Sequence, residues 1–280
     1  MGIKLADYSQ QPIIVLGMHR SGTTLLTRLL ENSGIFFGKK RDFNQESRFF
    51  QYINEWLLKN FSTRWDHLFN PQTIDEALED ELADLVQVYL KSPNRFFYTG
   101  LSPFSIFSGG PNWGWKDPRT LYTLNVWKRV YPKARFIGIV RHGIDVAKSL
   151  SVRAGQVREK RYEKLQKVFT RRPIPQLHRK VEMIDSPLIN DMDYGIKLWD
   201  NYNRILFDQL SNTHIFRYET LLNDPFTTMD SIGKALNLNI SPNKQFYQKL
   251  INPDMAYKFK NWANSEFIER WEPTLNKYNY

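Results

Sequence analysis

Ile13 to Leu16 form an apolar run too short for a helix, which predicts a fully buried strand. Gly17 ends that run. A second glycine, Gly22, precedes Leu25, Leu26, Leu29 and Leu30, whose spacing predicts a helix over 23–32. Apolar runs and amphipathic stretches keep alternating beyond this point. Strands are predicted at Phe136–Val140 and His214–Tyr218, with shorter ones at Ile35–Phe37, Phe96–Thr99 and Trp113–Trp115. Helices are predicted at 47–60, 74–91, 120–130, 144–153, 195–210 and 226–236. In the first of these, Phe49, Ile53, Trp56 and Leu57 share one face, which reads as core packing or, less simply, as an aromatic acceptor pocket. Strand–helix alternation of this kind predicts an α/β fold with three layers, helices covering a central, mostly parallel sheet.

Length allows one large domain or two small ones, and 41% hydrophobic residues suffice for a substantial core. Residues 1–280 read as a single domain with a basic, Pro-containing insertion or lid at about 154–193, marked by Pro173, Pro175 and Pro187. The absence of cysteine excludes disulfides, thiolate zinc sites and thiol nucleophiles. The five histidines show no metal-ligand spacing. No stretch approaches 18 apolar residues and no signal pattern opens the chain, so if Met1 is the true start a cytoplasmic protein is expected. Net charge is +10, and residues 151–180 carry ten Lys/Arg against Glu159 and Glu163, a local +8. Such a stretch is either a solvated helical excursion or an attractor for anions.

The loop Gly17-Met-His-Arg-Ser-Gly-Thr-Thr24 is a P-loop-like strand–loop–helix unit, whose amides and helix start form a seat for a phosphate-like anion. It nearly matches G-x-x-x-x-G-K-[ST], but Thr23 stands where that pattern has lysine and the cation comes earlier, as Arg20. A fixed planar guanidinium suits a terminal oxyanion, with Ser21, Gly22, Thr23 and Thr24 completing the seat. A helix merely capped by Ser21 would need neither two glycines nor this arginine. A second anion site is predicted where strand 136–140 runs into Arg141, because residues at the carboxyl end of a parallel strand face the ligand crevice. Ser149, on the helix that follows, is close enough to share its target. A magnesium-dependent nucleotidase would need an acid at such a strand end, and this one delivers the opposite charge.

Arg20-Ser-Gly-Thr-Thr24 together with Arg141-x7-Ser149 resembles the sulfotransferase family. Trp115-Lys-Asp-Pro-Arg119 resembles a segment of bacterial members and of tyrosylprotein sulfotransferases, and Phe216-Arg-Tyr-Glu-Thr-Leu-Leu-Asn-Asp-Pro225 a late strand-to-helix junction. The resemblance implies 3′-phosphoadenosine-5′-phosphosulfate as donor, adenosine 3′,5′-bisphosphate as product and no metal. It places the 5′-phosphosulfate on the first loop, the 3′-phosphate on Arg141 and Ser149, and the adenine beside Tyr218. Leaving-group charge would be neutralised by Arg20 and Lys116. Glu46-Ser47-Arg48 resembles the catalytic Glu-x-Arg of tyrosylprotein sulfotransferases, which makes Glu46 the expected base, with Arg48 orienting it or the acceptor. His19 and His142 are reserve bases, and Asp117 is expected to position Lys116. The late Arg-Lys-Gly loop of cytosolic animal members has no counterpart tripeptide, so either Lys258, Lys260 or the basic stretch replaces its contact or the contact is missing.

The expected partner is an acceptor with a hydroxyl group, whether sugar, phenol or other alcohol, and the basic stretch would suit an acidic one. No nucleic acid is expected on this reading, and the oligomeric state is not legible. Two alternatives stand beside it: an atypical P-loop small-molecule kinase, which would need Mg²⁺, and a non-catalytic polyanion binder, whose affinity would depend steeply on salt.

Overall fold

The computed structural model describes residues 11–100, 112–169 and 186–280. In chain order the main elements are β1 (Ile13–Leu16), α1 (Thr23–Asn32), α2 (Arg48–Asn60), α3 (Glu76–Lys91), α4 (Phe96–Thr99), β2 (Gly114–Lys116), α5 (Leu124–Val130), β3 (Arg135–Val140), α6 (Gly143–Phe169), α7 (Met192–Gln209), β4 (Ile215–Arg217), α8 (Tyr218–Asn223), α9 (Pro225–Leu236), α10 (Lys244–Leu250) and α11 (Ser265–Asn276). The four strands form one all-parallel sheet in the order β2-β1-β3-β4. β1 is central and paired on both sides, so an uninterrupted Ile-Ile-Val-Leu run with every residue buried is what its position requires.

Side chains alternate between two cores, one on each face. Ile14 and Leu16 join Phe50, Trp113, Trp115 and Trp127, while Ile13 and Val15 join Leu26, Leu29, Ile137 and Met229. On the first face Phe50 lies flat on Trp115, ring centroids 4.0 Å apart. Buried Asn54 of α2 then fixes the turn after β2. Its amide donates to Asp117 at 2.9 Å and Thr120 at 3.0 Å, and its carbonyl accepts from Thr123 and Trp127. Pairing of β2 with β1 is close: a Cβ on Gly114 would meet the Ile13 carbonyl oxygen at 1.7 Å, which only glycine avoids.

Because the chain places β2 on one side of β1 and β3 on the other, the crevice opens beyond the carboxyl ends of β1 and β3. All four strands feed it. Residues 17–22 follow β1, Lys116 ends β2, Arg141 follows β3, and Tyr218 follows β4.

Several expectations need correcting. Phe96–Thr99 is a helical turn, not a strand: Pro93 starts a 3-10 turn just before it, Gly100 ends it at φ 72°, and Tyr98 spends its hydroxyl on the Phe36 and Gly114 carbonyls. Ile35–Phe37 makes only a single bridge, Phe36 to Trp113, since Gly34 and Gly38 turn the chain on either side with φ near 90°. Trp56 leaves the face of its helix that packs inward and is 40% exposed. The helix expected to stop at 153 runs on to 169, so the proposed insertion begins as a continuation of α6, and residues 170–185 lie outside the described residues. No described helix is long and apolar enough to cross a membrane.

Candidate active site

The turn from β1 into α1 is built on left-handed backbone. Gly17, Arg20 and Gly22 have φ of 149°, 72° and 95°, and Arg20 is the residue for which that geometry is unfavourable. Strain of this kind is retained where surrounding structure over-determines it, commonly at functional sites. Gly22 caps α1 with no side-chain bond, so the first amides of the helix stay open to an anion. Ser21 does not cap: its buried hydroxyl has no partner. A Cβ on Gly22 would meet the Tyr218 ring at 2.2 Å, which packs this turn against the start of α8.

Arg141 stands across the crevice. Its Nη2 contacts Asp145 Oδ2 at 3.4 Å and donates to the Met255 carbonyl at 3.2 Å, while Nε is buried with no acceptor. Its guanidinium carbon lies 4.9 Å from the Tyr218 ring centroid. Ser149 faces the same space but accepts from Arg20 Nε at 2.7 Å, so the two expected anion sites are joined, not separate. Arg20 is exposed to this space yet crowded. Partial burial, then the like charges of Arg153 and Arg141, lower its pKa from the ordinary arginine value. Three guanidiniums gathered around one carboxylate, Asp145, leave an excess of positive charge there.

Deeper in the site lies a buried cluster of charges. Glu46 Oε1 is 3.3 Å from Lys116 Nζ, and Oε2 is 3.2 Å from Arg119 Nη1 and 3.3 Å from Gln51 Nε2. Lys116 also donates to the Asn44 carbonyl at 2.5 Å and lies 3.5 Å from the Thr24 hydroxyl. Burial raises the Glu46 pKa and lowers that of Lys116, each against the pull of the other. Burial alone would lower Arg119 too, but Asp117 and Glu46 outweigh it and drive its pKa upward. Beside Glu46, His19 Nδ1 approaches Oε1 at 4.0 Å, the ring packs on Trp65 at 4.2 Å, and Nε2 is buried with no partner. Burial, then the cations Arg119, Arg153, Lys116 and Arg20, hold His19 well below the usual imidazole pKa.

Two adjoining cavities share this machinery. One, about 290 Å³, is lined by the loop, Glu46, Lys116, Arg141 and Tyr218. The other, about 630 Å³, adds Ser149, Lys148, Lys258 and Trp262, and both include Arg20, Arg141 and Arg153. Among the described residues no cluster of His, Cys, Asp or Glu is arranged to hold a metal.

Of the residues expected from sequence, Arg20, Gly22, Thr23, Thr24, Glu46, Lys116, Arg141, Ser149 and Tyr218 all line this paired space, and Ser21 lies buried beneath it. Arg48 does not join them. It is exposed at the start of α2, and Arg119 occupies the place beside Glu46 instead. Asp117 binds Arg119 at 2.9 Å and caps the turn at its amide, so it positions Arg119 and not Lys116. His142 lines neither cavity. It stacks on Phe259 at 4.0 Å, and burial followed by Lys260 and Arg141 pushes its pKa down to about 4. Lys258 lines the larger cavity, whereas Lys260 lies over the Tyr257 ring. Arg119 was legible only as the last residue of the Lys-Asp-Pro-Arg segment, and Arg153 carried no signal beyond its place in a basic run.

The sulfotransferase family profile matches residues 12–242, which includes every site element from β1 to α9. No curated protein matches the sequence. Among solved structures, the sulfotransferase domain of the olefin synthase from Synechococcus PCC 7002 superposes with a TM-score of 0.52 at 16% identity, covering 97% of this chain and 96% of that one. A sulfotransferase from Alicyclobacillus acidocaldarius gives 0.44 at 15% identity, over 95% and 96% of the two chains. The first likeness concerns the fold, and the second is too distant to add to it. With the profile spanning most of the chain, this protein belongs to the sulfotransferase family.

Proposed function

We propose that this protein moves a sulfuryl group from 3′-phosphoadenosine-5′-phosphosulfate to an acceptor hydroxyl, without a metal. The supporting observation is that Arg20, from the turn after β1, and Arg141, from the end of β3, converge on one pair of adjoining cavities. A donor phosphorylated at both ends of its ribose fits that arrangement. Its 5′ end meets the open amides of α1, Arg20 and Lys116, and its 3′ end meets Arg141 and Ser149. The unpartnered Arg141 Nε would gain an acceptor, and Tyr218 offers a ring to the adenine. The donor supplies an electrophilic sulfur attached to a phosphate leaving group.

The chain's own residues do the rest. Arg20 and Lys116 place positive charge where the leaving oxygen becomes negative, and fixed charges cost no reorganisation as the bond breaks. Thr24 and the Asn44 carbonyl aim the Lys116 ammonium. The acceptor's proton goes to the Glu46–His19 pair, a carboxylate and an imidazole that both line the cavity. Arg119 holds Oε2 of Glu46 and Lys116 holds Oε1, which fixes the carboxylate's orientation.

Thermal melting tests the two-ended fit. Adenosine 3′,5′-bisphosphate at about 100 times its Kd should stabilise by about 2.7 kcal/mol, a Tm rise of roughly 5 °C or more. ADP, which lacks the 3′-phosphate, should do much less, and Arg141→Ala should erase the difference. Equal shifts from both nucleotides in the wild type would contradict the second site. A radiolabelled sulfate-transfer screen across acceptor classes, run with and without chelator, tests the reaction. Transfer should persist with chelator, and a requirement for Mg²⁺ would favour phosphoryl chemistry.

A further inference from the structure

Arg153 has no role in the donor site as drawn, yet it lines both cavities. It lies one helical turn beyond Ser149 on α6, so the two side chains project from the same face. Three other cations here are held by carboxylates: Lys116 by Glu46, Arg119 by Asp117, and Arg141 by Asp145. Arg153 has no carboxylate within ion-pair distance among the described residues, and its Nε is buried with no hydrogen-bond acceptor. Leaving such a donor unsatisfied costs about 1–3 kcal/mol, more for a charged group. Retaining it beside Arg20 and Arg141 adds like-charge repulsion, which acts with burial, the larger cause, to lower the Arg20 pKa.

Its position indicates which reactant would relieve this. The Arg153 guanidinium lies 6.0 Å from the Trp65 ring, and Trp65 packs on His19, a member of the proton-accepting pair. Arg153 therefore stands near the proton-accepting pair that an acceptor hydroxyl must reach. The larger cavity, about 630 Å³, runs from Arg141 and Ser149, the end given to the donor, to Val152, Arg153, Gln156 and Trp262, and lies within the usual range for small-molecule sites. Lys148 and Lys258 add positive charge there, and the one lining carboxylate, Asp145, is already held by Arg141.

We propose that Arg153 binds an acidic group on the acceptor, so that the hydroxyl compound sulfated here is itself an anion, a carboxylate or phosphate ester. The proposal rests on the donor reading above. A guanidinium fork suits either group through paired N–H···O bonds, and binding would satisfy the orphaned Nε.

Calorimetry separates the two readings. Adenosine 3′,5′-bisphosphate is titrated first, and inorganic phosphate is then titrated into the saturated protein as a probe of the acceptor anion site. The wild type should bind phosphate, and Arg153→Met should weaken that binding about tenfold or more while leaving the bisphosphate Kd within about threefold. Arg153→Lys, which keeps the charge but not the fork, should recover part of it. Phosphate binding unaffected by Arg153→Met, or absent from the wild type, would overturn the proposal. So would a bisphosphate affinity that falls tenfold with the substitution, since Arg153 would then belong to the donor. Failure of the first titration would instead remove the donor reading, and this proposal with it.

Discussion

Arg20→Ala should lower sulfuryl transfer by about 10²–10³-fold while leaving the fold intact. The guanidinium lines the cavity beside the start of α1, and it donates to Ser149 at 2.7 Å across the crevice. Losing one preorganised charge opposite a developing oxyanion costs this much in acyl-transfer sites, and the electrostatic demand here is of the same kind. Stability should change little, because the side chain projects into the cavities and not into either core. Alanine inherits the left-handed backbone at φ 72° without relieving or worsening it. Single-turnover assays and circular dichroism on the same preparation check both halves. Wild-type turnover in a folded Arg20→Ala protein would remove Arg20 from the mechanism.

Glu46 should be costly in two ways. Glu46→Ala leaves Lys116 and Arg119 buried beside each other without their shared counter-charge, and breaking a buried pair from one side costs about 3–5 kcal/mol. For a chain of this size that is a Tm drop of about 10 °C. Glu46→Gln keeps the shape and one acceptor oxygen, so it should destabilise less than alanine. Its transfer rate should still fall by about 10²-fold or more, because the carboxylate behind His19 is gone. A Gln variant that melts lower but turns over like wild type would make Glu46 a structural clamp only.

Legibility in the sequence followed the range of the interaction. The β1–loop–α1 unit was readable because its constraints are local: a buried run, two glycines at turn positions and a leucine stripe within twenty residues. The helix predicted over 23–32 is the helix observed. Arg141 was readable for a similar reason, since a strand end in a parallel sheet has one place to face. The aromatic pair Phe96 and Phe97 misled because β-propensity reports packing on a pleated surface, and a proline turn three residues earlier set the backbone first. Arg48 and Arg119 show the limit most clearly. Adjacency suggested that an arginine two residues from Glu46 would hold it. Instead the buried Asn54 folds the turn after β2 back, bringing an arginine from 73 residues away. No periodicity encodes that contact, because it depends on where α2 packs. The contact between Arg20 and Ser149, 129 residues apart, which joins the two expected anion sites, was hidden for the same reason.

The most direct measurement is a crystal structure with adenosine 3′,5′-bisphosphate bound. The 5′-phosphate should sit on the amides at the start of α1 within reach of Arg20 and Lys116, with the 3′-phosphate between Arg141 and Ser149 of the same protein molecule. Density for the nucleotide with either phosphate turned out to solvent, or with Arg20 and Arg141 directed at different ligands, would contradict the account.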